Sequence, residues 1–370
     1  MTLKYSILIP TFNRRDLLEK TIETVLEQNY NDFELVISDS GSKDKTWDFL
    51  SSIKKPNVKI FKHEKRLSEV ENFEFIISKA SGSWVSIIGD DDGLAPNFFR
   101  KLDDVIEKYP DISAISTNAG FYYHPDIEDL YGDRVISYNQ VSDKVCKKNS
   151  KLNLLLCLMG LKNRSDVPSL YTTGIVKKNL INQIKKKSGN KFFHSIIEDY
   201  YSMVSILYET NNFIRIEKPL FWIGSSKTSS GKGISVYENN KHVEDYLKVS
   251  DKISMGLHMV GISSIYFLEA VFKHPYISNF WKSNYFHKIA LVYSYIDIKS
   301  RTDLDRIKIN LSMREILSLI FLELKKMKVK KINFFFYVAI LKVFFYFKLS
   351  SYYLVKLSTY IKNYFLKKKS

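Results

Sequence analysis

Four times within the first 109 residues, a short apolar run typical of a β-strand is followed by a segment whose apolar residues have helical spacing. The four predicted strands cover residues 4–10, 34–39, 57–61 and 84–88. This alternation predicts an α/β fold, a parallel sheet with helices on both faces. Ligands bind such sheets beyond the carboxyl ends of the strands, so the residues that follow each strand are the first candidates for a functional site.

The fourth predicted strand stops at three consecutive carboxylates, residues 90–92, which Gly89 and Gly93 bracket as a turn. Three adjacent like charges at the end of a buried strand repel one another, and a bound cation would offset that repulsion. These residues therefore favour a divalent metal that carries a diphosphate. The plainer interpretation is a solvated acidic turn.

Two other predicted strands also end on polar residues, the first at Pro10 and Thr11 and the second at Asp39. Parallel topology would gather them with the acidic turn at one edge of the sheet, although they lie far apart in sequence. No Gly-x-Gly-x-x-Gly pattern follows the first strand, which argues against a nicotinamide-dinucleotide fold.

The positive charge of the chain is concentrated in its last residues. Residues 324–370 contain twelve lysines and no Asp or Glu, so the first 323 residues carry only +4 of the net charge of +16. That distribution argues against nucleic-acid binding by the fold.

Two cysteines argue against a disulfide framework, and the first residues lack the pattern of a signal peptide, so we expect a cytoplasmic protein.

Taken together, four segments resemble the family 2 glycosyltransferases, which have the GT-A nucleotide-sugar-binding fold. They are residues 6–14 (SILIPTFNR), 39–46 (DSGSKDKT), 82–96 with the Asp-x-Asp element, and the pair Glu198 and Asp199. The resemblance covers residues 4–223. It implies a Rossmann-like, mostly parallel sheet with helices on both faces, in a catalytic domain that we place over residues 1–236. A helical region over 237–370 is predicted separately, because the sequence beyond residue 276 contains no Gly or Pro.

The resemblance also implies which residues bind the nucleotide-sugar donor. They are Pro10, Thr11, Asn13, Arg14, Asp39, Asp90 and Asp91. It further implies a divalent cofactor, Mn²⁺ or Mg²⁺. Because Gly89 stands where many members have an aspartate, the metal ligands would be Asp90 with Asp92, or Asp92 alone.

Asp199 is the predicted general base, with Glu198 beside it. An inverting transfer is a single displacement at the anomeric carbon, so a base must take the proton of the acceptor hydroxyl. The N-terminus of the predicted helix would keep Asp199 ionised. Two alternatives stay open: the pair consists of ordinary first-turn acidic residues, or His194 is the base.

The predicted function is inverting transfer of a hexosyl or N-acetylhexosaminyl group from a nucleotide-diphosphate donor, a UDP-sugar. The acceptor would be a glycan or lipid-linked glycan in bacterial surface polysaccharide synthesis. One alternative is a nucleotidyltransferase that makes nucleotide-sugars, and another is a non-catalytic, membrane-attached protein that binds glycans or nucleotide-sugars. Release of a nucleoside diphosphate rather than pyrophosphate would distinguish the first two.

The lysine-rich end of the chain predicts attachment to a membrane surface. The apolar run at 332–347 would span about 24 Å as a helix, short of the ~30 Å hydrocarbon core of a bilayer. Between residues 354 and 367, apolar side chains and lysines fall on different faces of a helix. We therefore expect a basic amphipathic tail over 325–370 that binds the anionic inner face of the cell membrane. The alternative is helical packing within the chain or between subunits.

Overall fold

A computed structural model describes residues 3–124, 142–158, 162, 164–195, 197–226, 228–229, 267, 270–279 and 281. The strands are β1 (Tyr5–Thr11), β2 (Phe33–Asp39), β3 (Val58–Lys62), β4 (Trp84–Ile87), β5 (Gly93–Leu94), β6 (Ala114–Tyr123), β7 (Val145–Asn149), β8 (Gly174–Lys177) and β9 (Asn212–Ser225). The α-helices are α1 (Arg15–Leu26), α2 (Thr46–Ser52), α3 (Glu69–Lys79), α4 (Phe98–Lys108), α5 (Ser150–Leu158), α6 (Lys178–Lys187) and α7 (Glu198–Glu209), and a 3₁₀ turn covers Arg164–Asp166.

These strands form one sheet in the order β3-β2-β1-β4-β8-β6-β9-β5, with β7 beside β9. The first four are parallel, whereas β8 runs antiparallel to both β4 and β6. Thr11 and Asp39 are direct partners at the last register position of β1 and β2. The predicted α/β fold is confirmed, and the ends of the parallel strands meet at one edge as expected.

Helices cover both faces of the sheet because its inner strands are apolar on both sides. Ile7 and Ile9 of β1 pack against α1, α2 and α4, whereas Leu8 faces α3, α5, α6 and α7. All three side chains are fully buried. Burial of such a side chain stabilises the fold by about 1.5–3 kcal/mol, so the sheet is a rigid base for the loops at its carboxyl edge.

Local sequence signals located some element ends well and others poorly. Ser68 and Glu71, three positions apart, form a capping box at the start of α3. Proline is favoured at the first position of a helix, yet α4 begins at Phe98 rather than at Pro96, because Asn97 adopts a left-handed φ of 62°. The polar sequence of β7 does not have the apolar pattern of a buried strand.

The segment directly before β8 contains two consecutive threonines with positive φ. Thr172 has φ 38° and Thr173 has φ 72°, values that β-branched residues rarely adopt. Such backbone conformations cost about 1–3 kcal/mol each and occur mostly at functional sites. The kink brings Tyr171 and Thr172 toward the end of β4, where a bridge joins Ile87 to Tyr171.

Glu34 links three elements below the sheet edge. Its carboxylate accepts hydrogen bonds from the Ser6 hydroxyl and the Ser81 backbone N–H, both at 2.5 Å, and pairs with Lys59 Nζ at 2.6 Å. Burial of Glu34 opposes its ionisation, but the bonds from Lys59, Ser6 and Ser81 outweigh burial and lower its pKa to about 2.

We expect Glu34→Gln to lower the free energy of unfolding at pH 7 by about 1–3 kcal/mol. Both oxygens of Glu34 accept hydrogen bonds, and the amide NH2 group that replaces one of them would face a donor. A depressed carboxyl pKa stabilises the fold above the ordinary value of 4.5, and this contribution is lost as pH falls toward 2. Urea unfolding at pH 7 and pH 3.5 should therefore show a smaller difference between wild type and variant at the lower pH. Glu27→Gln, at an exposed position, is the control. An equal difference at both pH values would contradict the assignment.

Within the described ranges, no helix is both long and apolar enough to cross a bilayer. The expected tail over 325–370 and most of the expected helical region over 237–370 lie outside those ranges. The described part of that region packs on α7, where His274 Nε2 lies 3.0 Å from the Ser205 hydroxyl. A domain boundary at residue 236 stays a prediction.

Candidate active site

The acidic turn after β4 is buried and linked to the end of β1. Asp90, Asp91 and Asp92 are 4%, 8% and 8% exposed. Thr11 Oγ1 donates a hydrogen bond to Asp90 Oδ2 at 2.7 Å. The Arg14 guanidinium bridges two acids, with Nη1 2.5 Å from Asp90 Oδ1 and Nη2 3.0 Å from Asp91 Oδ2. The structure therefore brings together the predicted site residues from the first and fourth strands.

Asp92 is held by donors from three separate segments. Its Oδ2 accepts from the Thr172 hydroxyl at 2.7 Å and from the Gly89 N–H at 2.8 Å, and its Oδ1 accepts from the Gly224 N–H at 3.0 Å. Position 224 must be glycine, since a Cβ there would lie 1.6 Å from the carbonyl oxygen of Asp91. The kink before β8 and the end of β9 thus fix the orientation of Asp92.

The turn carries more negative charge than its described neighbours neutralise. Burial raises the pKa of Asp90 to about 6, with the positive charge of Arg14 opposing and the charge of Asp91 adding to the shift. Burial, followed by the charge of Asp91, also raises the pKa of Asp92 to about 6. Such an environment disfavours three ionised carboxylates and would be stabilised by an added cation.

The predicted metal ligands, Asp90 and Asp92, are not arranged as a complete metal-binding site. In the described part of the chain, no group of three or more His, Cys, Asp and Glu side chains is placed to hold a metal ion. Both oxygens of Asp90 are engaged by protein donors. Asp91 Oδ1 and Asp92 Oδ2 instead face Gly89, each 3.0 Å from the position a Cβ would take. Their carboxylate oxygens suit Mg²⁺ or Mn²⁺, and this geometry favours Asp91 with Asp92 over Asp90 with Asp92.

A cavity of about 230 Å³ opens beside the acidic turn. Its walls include four predicted donor-binding residues, Pro10, Thr11, Arg14 and Asp90. The remaining lining residues are Phe12, Ser40, Arg66, Leu67, Ser68, Glu69, Asn72, Phe73, Gly89, Tyr171 and Thr228. A larger cavity of about 410 Å³ lies at the amino ends of β6 and β9 and contains no predicted site residue.

Two predicted donor-binding residues, Asp39 and Asn13, are not among the residues that line this cavity. Asp39 is fully buried, and its Oδ1 accepts from the Ser42 N–H at 3.0 Å. No described donor reaches Asp39 Oδ2, which leaves a buried acceptor for a ligand hydroxyl or N–H. Asn13 is not among the lining residues; its backbone N–H bonds to the Ser42 hydroxyl and its Oδ1 accepts from the Lys43 N–H. Asn13 therefore shapes the loop around Asp39.

The predicted base lies in the first turn of α7, at a distance from the cavity walls. Asp199 Oδ1 accepts from the Tyr200 N–H at 2.7 Å, and Asp199 Oδ2 pairs with Arg164 Nη1 at 2.6 Å. The charge of Asp199 and, more weakly, that of Asp92 raise the pKa of Arg164, so this guanidinium lies near both the predicted base and the acidic turn. Glu198 is buried, with 7% of its surface exposed.

His194, the alternative base, is occupied by structural contacts. Its Nε2 lies 2.9 Å from the Ser188 carbonyl oxygen, and its ring packs against Tyr201 with 5.9 Å between ring centroids. These contacts tie the segment before α7 to the end of α6. The arrangement favours Asp199 over His194.

Four residues that contact the site or the predicted base escaped the sequence analysis: Arg164, Tyr171, Thr172 and Gly224. Among these four, Gly224 has a sequence signal: a glycine directly after the apolar run at 219–223, which often marks a close backbone approach. A second group comes from the segment after β9. Arg14 bonds to Ser226 and Thr228, and the Ser229 hydroxyl donates to Asp91 Oδ2 at 2.5 Å.

The parallel strands, the acidic turn at their carboxyl edge and the adjoining cavity define the GT-A class of nucleotide-sugar-binding folds. Residues 6–153 match the model of glycosyl transferase family 2. The resemblance noted in the sequence is therefore confirmed.

Known proteins similar to this chain include two bacterial enzymes and one solved structure. The chain is 34% identical over 94 residues, 25% of its length, to GalNAc(5)-diNAcBac-PP-undecaprenol beta-1,3-glucosyltransferase of Campylobacter jejuni. It is 32% identical over 89 residues, 24% of its length, to UDP-Glc:alpha-D-GlcNAc-diphosphoundecaprenol beta-1,3-glucosyltransferase WfaP of Escherichia coli. The matched parts span 30% and 35% of these two relatives. The structure of S. aureus TarS 1-349 in complex with UDP-GlcNAc superposes with a TM-score of 0.51 over 80% of this chain and 91% of TarS, at 13% identity.

Proposed function

We propose that the protein is an inverting glycosyltransferase that moves a hexosyl or N-acetylhexosaminyl group from a UDP-sugar to a glycan or lipid-linked glycan acceptor. The observation that carries this proposal is the buried acidic turn, bonded to Thr11 and Arg14 and open to the adjoining cavity. The names of the two similar enzymes, both acting on undecaprenol-linked glycans, support the acceptor class. A place in bacterial surface polysaccharide synthesis is part of this proposal.

Residues at the carboxyl ends of β1 and β2 would bind the nucleotide-sugar donor. Asp39 Oδ2, a buried acceptor without a described partner, would take a hydrogen bond from the base or ribose. Arg14 would lie near the diphosphate, where its guanidinium can donate to phosphate oxygens. TarS, of similar fold, was solved with UDP-GlcNAc, which supports uracil as the base.

Asp91 and Asp92 would hold a divalent cation, since Asp91 Oδ1 and Asp92 Oδ2 lie on the same side of Gly89, each 3.0 Å from the position of a Cβ there. When bound, Mn²⁺ or Mg²⁺ would act as a Lewis acid that stabilises the departing diphosphate. Thr172 and the backbone N–H groups of Gly89 and Gly224 keep the Asp92 carboxylate in one orientation.

Asp199 would take the proton of the acceptor hydroxyl as the sugar is displaced. Arg164 and the first-turn N–H of Tyr200 hold this carboxylate in one orientation. Each carboxylate oxygen has two lone pairs, so Oδ2 can accept the bond from Arg164 and still face an acceptor hydroxyl. Glu198, buried beside it, would support the start of α7.

A thermal-shift panel tests the donor class. We expect UDP with Mn²⁺ to raise the melting temperature by several degrees, because a ligand at 100 times its Kd stabilises the folded state by about 2.7 kcal/mol. GDP and dTDP should give smaller shifts. Absence of a shift with all three nucleotides would count against a nucleotide-sugar site.

Attachment to the membrane is a further part of the proposal. The lysine-rich residues 325–370 would bind the anionic inner face of the cell membrane, and residues 1–236 would form the catalytic domain. Cosedimentation of the full chain with anionic but not neutral liposomes is expected. Failure to sediment with either would favour helical packing or oligomer contacts for this tail.

A further inference from the structure

Tyr171 occupies the space that a side chain at position 89 would take. A Cβ on Gly89 would lie 2.9 Å from the Tyr171 hydroxyl oxygen, closer than carbon and oxygen atoms normally approach. The Tyr171 ring packs on Phe73 of α3, with 5.3 Å between ring centroids, which fixes the direction of the hydroxyl. Glycine at 89 and tyrosine at 171 are therefore sterically matched.

The Tyr171 hydroxyl is placed to act as a hydrogen-bond donor to a ligand. Tyr171 lines the 230 Å³ cavity together with Thr11, Arg14 and Asp90. Among the hydrogen bonds of the described residues, none engages this hydroxyl. Burial, then the charges of Asp92 and Asp91, raise the pKa of Tyr171 well above its ordinary value, so the phenol keeps its proton.

We propose that the Tyr171 hydroxyl donates a hydrogen bond to the terminal phosphate of the nucleoside diphosphate in the donor site. This inference rests on the proposed function. The hydroxyl oxygen, Asp91 Oδ1 and Asp92 Oδ2 lie 2.9, 3.0 and 3.0 Å from the position of a Cβ on Gly89, so the phenol borders the carboxylates proposed to hold the cation. A diphosphate bound to that cation would bring its terminal phosphate within reach of the hydroxyl. A neutral O–H group binds a phosphate oxygen there without adding negative charge to a turn that already has an excess.

The test is calorimetric binding of UDP and of UMP, in the presence of Mg²⁺, to the wild-type full chain and to Tyr171→Phe. The variant keeps the ring on Phe73 and removes only the hydroxyl. We expect UDP to bind about tenfold more weakly, the usual effect of one hydrogen bond to a charged group, with UMP affinity unchanged. Tyr109→Phe, at the end of α4 and away from the acidic turn, should bind both nucleotides like wild type.

Unchanged UDP affinity in Tyr171→Phe would overturn the inference, and an equal loss for UMP would overturn it by placing the hydroxyl at the nucleoside end. Wild type that binds neither nucleotide would instead overturn the proposed UDP donor, which separates the two failures.

Gly89→Ala gives an independent measurement. It should weaken UDP binding because its Cβ would crowd the Tyr171 hydroxyl and the two carboxylates. The loss in the double variant with Tyr171→Phe should be smaller than the sum of the two single losses, because removal of the hydroxyl relieves part of the crowding. Strictly additive losses in the double variant would contradict the steric match.

Discussion

Replacing Asp92 by Asn is expected to lower the rate of glycosyl transfer by at least about 10³-fold, because a neutral amide cannot balance a divalent cation beside a diphosphate. Both oxygens of Asp92 also accept hydrogen bonds, from Thr172, Gly89 and Gly224. An amide nitrogen would oppose at least one of the two backbone N–H groups, so the side chain would also lose its fixed orientation. The measurement is UDP release from UDP-glucose and UDP-GlcNAc with an extract of bacterial lipid-linked glycans.

The Asp92→Asn protein is expected to remain folded. Its amide oxygen still accepts hydrogen bonds on one side, and loss of the charge removes repulsion from Asp91, which contributes to the raised pKa of Asp92. Circular dichroism should therefore match wild type. Asp111→Asn, at an exposed position far from the turn, should keep full activity. Turnover of Asp92→Asn near the wild-type rate, or of wild type in excess EDTA, would refute the role of the acidic turn.

Replacing Asp199 by Asn should reduce the turnover number by about 10²–10⁴-fold, the usual contribution of a general base. Donor affinity should stay near the wild-type value, because the lost group acts on the acceptor. The amide oxygen can keep the bond from the Tyr200 N–H at the start of α7, so the local backbone should be preserved. Steady-state kinetics and UDP titration together separate the two effects.

His194→Ala is the matched control for the base. Because the His194 ring bonds to the Ser188 carbonyl oxygen, we expect a loss of stability and only a small loss of turnover. A larger loss of turnover in His194→Ala than in Asp199→Asn would make His194 the better candidate. A collapse of UDP affinity in Asp199→Asn, with turnover retained at saturation, would instead assign Asp199 to the donor site.

The site residues that directly follow β-strands could be predicted from the local sequence. An apolar run that stops at a carboxylate defines both a buried strand and a polar edge, so Thr11, Asp39 and the acidic turn could be placed together before any coordinates. The structure brings Thr11 and Asp90 into a hydrogen bond across 79 positions of sequence. Parallel topology alone is enough to explain this convergence.

The support of Asp92 could not be predicted, because it depends on backbone geometry that sequence patterns disfavour. Two threonines in positive φ have no local signal, since β-branched residues normally avoid that region and the run before β8 has the composition of a strand. Arg164 reaches Asp199 from a 3₁₀ turn 35 positions away, a contact set by the tertiary packing of α5 and α7. The match between Gly89 and Tyr171 likewise becomes visible only when distances are known.

Product analysis tests the central claim most directly. The full chain would be incubated with UDP-GlcNAc or UDP-glucose, Mn²⁺ and lipid-linked glycans, and the phosphorus-containing products would be resolved by ³¹P NMR. We predict one UDP formed for each sugar transferred, no pyrophosphate, and a product whose anomeric configuration is opposite to that of the donor. Release of pyrophosphate would indicate a nucleotidyltransferase, and retention of configuration would contradict the single displacement assigned to Asp199.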